Sequence, residues 1–142
     1  MSGINDQLQL KGHLQIHLND ELVQDIDNLV VTAGKNLVAS RLVGTSSDVM
    51  SHMAIGSGTT AAAAGNTALG TELGRVSLTS GTASAAVVTY VTFAAGTGTG
   101  AVTEAGLLNA SSGGTMLCRT VFSVVNKGAN DSMTVTWTVT VS

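Results

Sequence analysis

This chain of 142 residues contains no proline, one cysteine and four aromatic side chains, and charged residues make up only 11% of it. Each shortage removes a class of explanation. A lone thiol, Cys118, cannot close an internal disulfide, so stability must come from packing and synthesis in a reducing cytoplasm is unproblematic. Tyr90, Phe93, Phe122 and Trp137 are too few to build a stacking platform for bases or sugar rings. The basic residues Lys11, Lys35, Arg41, Arg75, Arg119 and Lys127 are scattered through a chain of net charge −3. No basic stripe exists to neutralise a phosphate backbone, which argues against direct nucleic-acid binding. Nowhere do the roughly 18 consecutive apolar residues needed to cross a bilayer occur. The polar start, M-S-G-I-N-D-Q-L-Q-L, lacks the basic and apolar regions of a signal peptide.

Hydrophobic residues reach 44%, with a mean hydropathy of +0.35. With charge so far below the usual figure of about 25%, the surface is expected to be covered in part by something other than water. The clearest pattern lies at 133–142, M-T-V-T-W-T-V-T-V-S. Met133, Val135, Trp137, Val139 and Val141 alternate there with Thr134, Thr136, Thr138, Thr140 and Ser142. Only a strand has that period of two, so one face is core and the other an uncharged hydroxyl strip.

Residues 1–6 read as a flexible arm. Leu8, Leu10, Leu14, Ile16 and Leu18 then alternate with Gln7, Gln9, Lys11, His13, Gln15 and His17, the signature of a half-buried strand. Asn19-Asp20 supplies a turn, and a second extended run leads to Val31. One helix is expected, with Thr32 as N-cap, a face of Leu37, Val38, Arg41 and Leu42, and Gly44 at C′. Further strands are expected at 52–55, 75–79, 87–93, 101–109, 115–125 and 133–142, separated by loops of Gly, Ser, Thr and Ala. The sum is a single all-β domain over 1–142, an antiparallel sandwich or jelly roll of about eight strands with one short helix.

Candidate chemistry is sparse. His13 and His17 share a strand face roughly 13 Å apart at about 3.3 Å per residue, too far to hold one ion, and so read as solvated. His52 has only Asp48 as a local acid. Asp25 and Asp27 share a face, but no calcium-loop pattern surrounds them, and they read as a solvated edge. G-T-G-T-G at 96–100 lacks the spacing and following helix of a phosphate cradle, and Gly34-Lys35 lacks the rest of a P-loop. No G-x-S-x-G elbow is present. Cys118 reads as a buried apolar residue. No enzyme, cofactor or metal is expected.

The block N-L-V-V-T-A-G-K-N-L-V-A-S-R-L-V-G at 28–44 and S-H-M-A-I-G-S-G-T-T-A-A-A-A-G-N-T-A-L-G-T-E-L-G-R at 51–75 resembles small virion proteins of tailed bacteriophages. So do T-E-A-G-L-L-N-A at 103–110, G-G-T-M-L-C-R-T-V-F-S-V-V-N-K-G at 113–128 and the closing T-V-T-W-T-V-T-V. The resemblance is one of texture and phrase order rather than of a diagnostic motif. It implies a capsid decoration (cement) protein, made in the host cytoplasm and carried on the virion exterior. There it would bind the major capsid protein as a dimer or trimer and bridge neighbouring capsomers. A tail or tail-fibre adaptor and a carbohydrate-binding attachment module are the alternatives.

On that reading the arm and the loops 56–72 and 95–100 touch the shell, with Gln7, Gln9, Lys11, Thr59, Thr60, Asn66, Thr97 and Thr99 as contact residues. The hydroxyl strip of Thr134, Thr136, Thr138 and Thr140, or the polar face of 7–19, meets a sister subunit.

Overall fold

The computed structural model describes residues 9–44, 49–83 and 86–141. The arm expected at 1–6, together with Gln7 and Asp48, lies outside them. The elements in chain order are β1 (Leu10–Leu18), β2 (Glu21–Val30), α1 (Thr32–Leu42), β3 (His52–Gly56) and β4 (Glu72–Ser77). β5 (Ser80–Ala83), β6 (Ala86–Phe93), β7 (Gly100–Leu108), β8 (Met116–Lys127) and β9 (Met133–Val141) complete the chain. The expected all-β class with one helix is what the chain adopts.

All strand pairs are antiparallel, in the order β4-β3-β7-β8-β2-β1-β9-β6-β5. Only Leu78 and Thr79 separate β4 from β5. The Leu78 amide donates to Ser51 O (2.9 Å) beside β3, and the Thr79 amide to Tyr90 O (3.0 Å) on β6. β4 and β5 thus act as one bent strand that pairs with β3 on one side and β6 on the other, which rolls the sheet almost shut. Read this way there are eight strands, and β5 is the piece that the small-residue stretch S-G-T-A concealed. Near-closure removes most free sheet edges.

The β1–β2 hairpin turns on Asn19 (φ 49°) and Asp20 (φ 71°), the two positive-φ residues a type I′ turn requires. β2 stays with β1 only as far as Gly12↔Asn28, after which Leu29 and Val30 pair with Arg119 and Cys118 of β8. The strand therefore crosses from one layer to the other, leaving a fork at the start of β1.

One apolar core fills the roll, with Leu14, Ile16, Met53, Ile55, Phe93, Met133, Val135 and Trp137 at 0% exposure. The alternation read in 133–142 holds: its odd residues from Met133 to Val139 are buried and Thr134 to Thr140 face outward. Three of the four aromatics are core residues, and Tyr90 is 41% exposed. Cys118 is fully buried, and burial pushes its thiol pKa up, so it stays protonated.

The layer formed by β3, β7 and β8 is buried on both sides where α1 and the 57–71 loop cover it, and Ser123, Val124 and Asn126 toward the end of β8 are exposed. A second small cluster of Val31, Ala54, Leu108 and Met116, with Ala33 and Leu69 against it, lies on its outer side. Helix α1 packs there onto β8. Thr32 is not its N-cap: Val31 occupies that position without a side-chain cap bond, and the Thr32 amide donates to Ala64 O (2.8 Å) in the 57–71 loop. The cap is supplied by distant backbone because Val31 is itself held by Leu117 O (3.1 Å), so the helix follows directly on β2. Gly44 (φ 70°) does end the helix as expected. Leu42 is 78% exposed, so the helix buries less of its face than its pattern suggests.

Gly34 lets the helix reach the sheet, since a Cβ there would lie 2.6 Å from Leu117 Cα. Gly34→Ala should gain about 1 kcal/mol of helix propensity but incur overpacking of about 1–3 kcal/mol. A lowered urea midpoint is expected. Gly65→Ala, with nothing within 4 Å of its added Cβ, should leave the midpoint unchanged.

Candidate functional site

Glu104 and Arg119 face the outer side of the β7/β8 layer, and both are buried, at 0% and 2% exposure. Arg119 lies opposite Gly106, which has no side chain, and so reaches diagonally to Glu104. Its Nε and Nη2 donate to Glu104 Oε1 at 3.1 and 3.0 Å. The register slips between Val102 and Glu104, and this bulge lets both Thr103 and Glu104 reach Gly58.

The remaining valences of the pair hold the 57–71 loop. Gly58 N (2.6 Å) and Thr71 N (2.8 Å) donate to Glu104 Oε2, and Gly70 N (2.7 Å) donates to Oε1. Arg119 donates to Asn66 Oδ1 (2.9 Å) and to Thr60 O (3.0 Å). Ser57 N to Thr71 O (2.8 Å) closes the loop at its base. Burial would raise the Glu104 pKa, but the three backbone N–H groups and the Arg119 guanidinium outweigh it and hold the carboxyl below its usual range. Both carboxylate oxygens of Glu104 and four of the five Arg119 N–H groups are taken by protein, so the pair acts as a loop clamp.

Two other cations repeat the device on a smaller scale. Arg75 pairs with Glu72 through Nε (3.1 Å) and Nη2 (2.6 Å), and its Nη1 donates to Ala110 O and Gly113 O, both at 2.9 Å. Lys127, 2% exposed, donates to Ala94 O at 2.9 Å. Three of the six basic residues therefore tether glycine-rich loops.

The outer face of the β2-β1-β9-β6 layer is different. Thr134, Thr136, Thr138 and Thr140 run down its centre, half-buried by their neighbours. In register beside them stand His17, Gln15, His13 and Lys11 of β1, and Thr92, Tyr90, Val88 and Ala86 of β6. Val88 (39%) and Tyr90 (41%) are exposed, so the flank away from the charges is apolar.

On the other flank His13 lies between two carboxylates of β2, a contact the solvated reading missed. His13 pairs with Asp27 in the ladder, Nδ1 to Oδ1 being 2.7 Å, and its Nε2 meets Oδ1 of Asp25. A ring facing a carboxylate oxygen at each nitrogen can donate to both only as an imidazolium, and the two contacts favour that form. The Asp27 bond, then the Asp25 bond, raises its pKa. One nitrogen per carboxylate leaves no common point for a metal, and among the described residues no group of three or more ligating side chains converges on one.

His52 is flanked by hydroxyls, with Ser51 Oγ 2.8 Å from Nδ1 and Ser77 Oγ 3.3 Å from Nε2. Among the described residues no carboxylate bonds the ring, and Asp48, the local acid expected from the sequence, lies outside them.

The predicted contact residues separate into distinct places. Gln9 and Lys11 are exposed at the start of β1, Thr59 and Thr60 are exposed in the clamped loop, and Thr99 is exposed before β7. Asn66 turns its Oδ1 inward to Arg119 and Ala63 N, so that oxygen is not free for a partner. The 95–100 loop packs on β4, where a Gly74 Cβ would lie 3.0 Å from Gly98 Cα. Sequence reasoning passed over the clamp because Glu104 and Arg119 look like ordinary strand charges. Its one signal was a charge inside an otherwise apolar or small-residue strand, beside a long small-residue loop.

No protein-family model, curated protein or solved structure matches the chain. No helix among the described residues is long and apolar enough to cross a membrane.

Arg119→Met should cost about 3–5 kcal/mol by leaving a buried carboxylate without its counter-charge. Chemical denaturation would measure the loss, and the Gly58, Gly70 and Thr71 amides should exchange faster. A midpoint equal to wild type would remove the clamp from the account. Two pH effects oppose each other. The depressed Glu104 pKa gives stability that is complete above its unfolded value of about 4.5 and lost as pH falls through the folded value. The raised His13 pKa gives stability that is complete below 6.5 and lost as pH rises through its folded value. His13→Gln should abolish the alkaline-side slope in a titration of stability from about pH 3 to 9 and leave the acid limb intact.

Proposed function

We propose that this protein is a capsid decoration protein of a tailed bacteriophage, a non-enzymatic module that docks on the capsid exterior and bridges capsomers of the major capsid protein. The observation that carries the reading is the asymmetry of the two layers. Much of the β3, β7 and β8 layer is roofed by α1 and the 57–71 loop, Val124 near the end of β8 standing exposed, while the β2-β1-β9-β6 face presents a threonine strip beside exposed Val88 and Tyr90.

A face of that kind suits protein contact. Its central hydroxyls can exchange water for partner hydrogen bonds without the desolvation penalty of buried charge. Each interface need bury only about 1,000 Å² or slightly more, because repetition over an icosahedral lattice supplies avidity. The sequence resemblance to phage virion proteins points the same way, and the clamped loops suit a rigid cross-brace. A carbohydrate-binding role is weaker, since Phe93, Phe122 and Trp137 lie at 9% exposure or less and Tyr90 alone is left to stack.

The test is to strip the protein from full heads and add it back. Heads without it should burst at lower temperature, and wild-type protein should restore the difference at hundreds of copies per particle. Thr136→Arg with Thr138→Arg, on the outer face, should fold normally and fail to bind. Unaltered head stability, or a copy number of a few to tens that marks a tail adaptor, would overturn the proposal.

A further inference from the structure

The fork at the start of β1 opens into a cleft that the capsid reading uses only at Gln9 and Lys11. Where β2 leaves β1, two cavities of about 360 and 580 Å³ adjoin, sharing Leu10, Lys11 and Lys35 in their walls. Their combined size falls in the range of small-molecule sites, about 300–1,000 Å³. Val38, Ala39 and Leu42 of α1 line the larger cavity against Leu10, with no acidic side chain among its walls. That leaves a largely apolar trough with two lysines in its walls.

Asn28 lines the smaller cavity, and its side chain lies across Gly12, where any Cβ would collide with the amide. Its amide atoms are closed off from solvent and meet the Cys118 thiol, so the open part of the cleft is lined by the lysines and α1. Lys11 and Lys35 take part in none of the described ion pairs.

We propose that the cleft binds a small amphipathic monoanion, an aliphatic chain bearing one carboxylate. The carboxylate sits between Lys11 and Lys35, and the chain lies along Val38, Ala39 and Leu42, covering the 78%-exposed Leu42. A monoanion is favoured over a phosphate dianion by the rim. Asp27 lines the smaller cavity, and the cluster of Lys11, Lys35, His13, Asp25 and Asp27 carries one positive charge in excess when His13 is an imidazolium. Nor is there an arginine fork in the walls to match a phosphate.

The test is titration of the ¹⁵N-labelled full chain with sodium octanoate below its micelle concentration, followed by amide shifts. Saturable shifts confined to 9–12, 28–30 and 35–42 are expected. Lys11→Gln with Lys35→Gln, both exposed positions, should weaken binding at least tenfold without moving the thermal midpoint. Octanol and octylamine should each bind at least tenfold more weakly than octanoate. Octyl phosphate should also bind less well. Shifts that do not saturate or that fall elsewhere, equal binding of octanol, tighter binding of octyl phosphate, or a double variant as good as wild type would each overturn the assignment. The Thr136→Arg and Thr138→Arg variant, altered on the capsid-facing side, should bind octanoate normally, so the two proposals fail separately.

Discussion

The Glu104–Arg119 pair is the interaction on which the rest of the structure depends. A chain with no proline and loops made of Gly, Ser, Thr and Ala has little intrinsic stiffness, and ordering such loops opposes a large conformational entropy. A buried carboxylate surrounded by backbone N–H groups offers a strong, directional answer. It holds both ends of the 57–71 loop to the sheet, while Arg119 grips the middle through Asn66 and Thr60. The loop in turn supplies Ala64 O to the first turn of α1 and Leu69 to the small cluster under it. Loop, helix and sheet therefore stand or fall together.

This accounts for the unusual economy of charge. Arg75, Arg119 and Lys127 have donors directed to backbone carbonyls and to Glu72, Glu104 and Asn66, which ties down separate loops. What remains for the exterior is a short list: the His13 clamp with Asp25 and Asp27, the lysines at the fork, and few others. An outer layer with so little charge at its centre carries no strong electrostatic steering, so recognition through it rests on shape and hydroxyl hydrogen bonds. Edge closure by the bent β4–β5 strand matters for the same reason. A proline-free, threonine-rich sheet with open edges would pair with its own copies.

Much of the fold was legible in the residues, and the elements that were legible share a property. The alternation in 133–142, the Asn19-Asp20 turn and the Gly44 helix stop are local, each decided by side-chain period or backbone conformation within a few residues. Elements that escaped reading depend on partners far along the chain. Thr32 has the chemistry of an N-cap but lies one residue inside the helix, because Ala64 O and Leu117 O position that turn. β5 has too little apolar character to be seen, and is a strand only because β6 pairs with it. His13, Asp25 and Asp27 each read as solvated until the β1–β2 register set them side by side.

From composition and periodicity alone came an all-β chain with one helix, a core without disulfides and a hydroxyl face with no charge on it. These follow from period-two burial and from residue counts, which need no knowledge of distant contacts. Which layer is roofed and which stays open was decided by the tertiary structure. So were the capture of the 57–71 loop by Glu104 and the fork that brings Lys11 and Lys35 to one cleft. The reason is physical: a buried ion pair or a layer crossing exists only when strands distant in sequence come within hydrogen-bond reach, and β2 meets β8 through just two residue pairs, Leu29↔Arg119 and Val30↔Cys118.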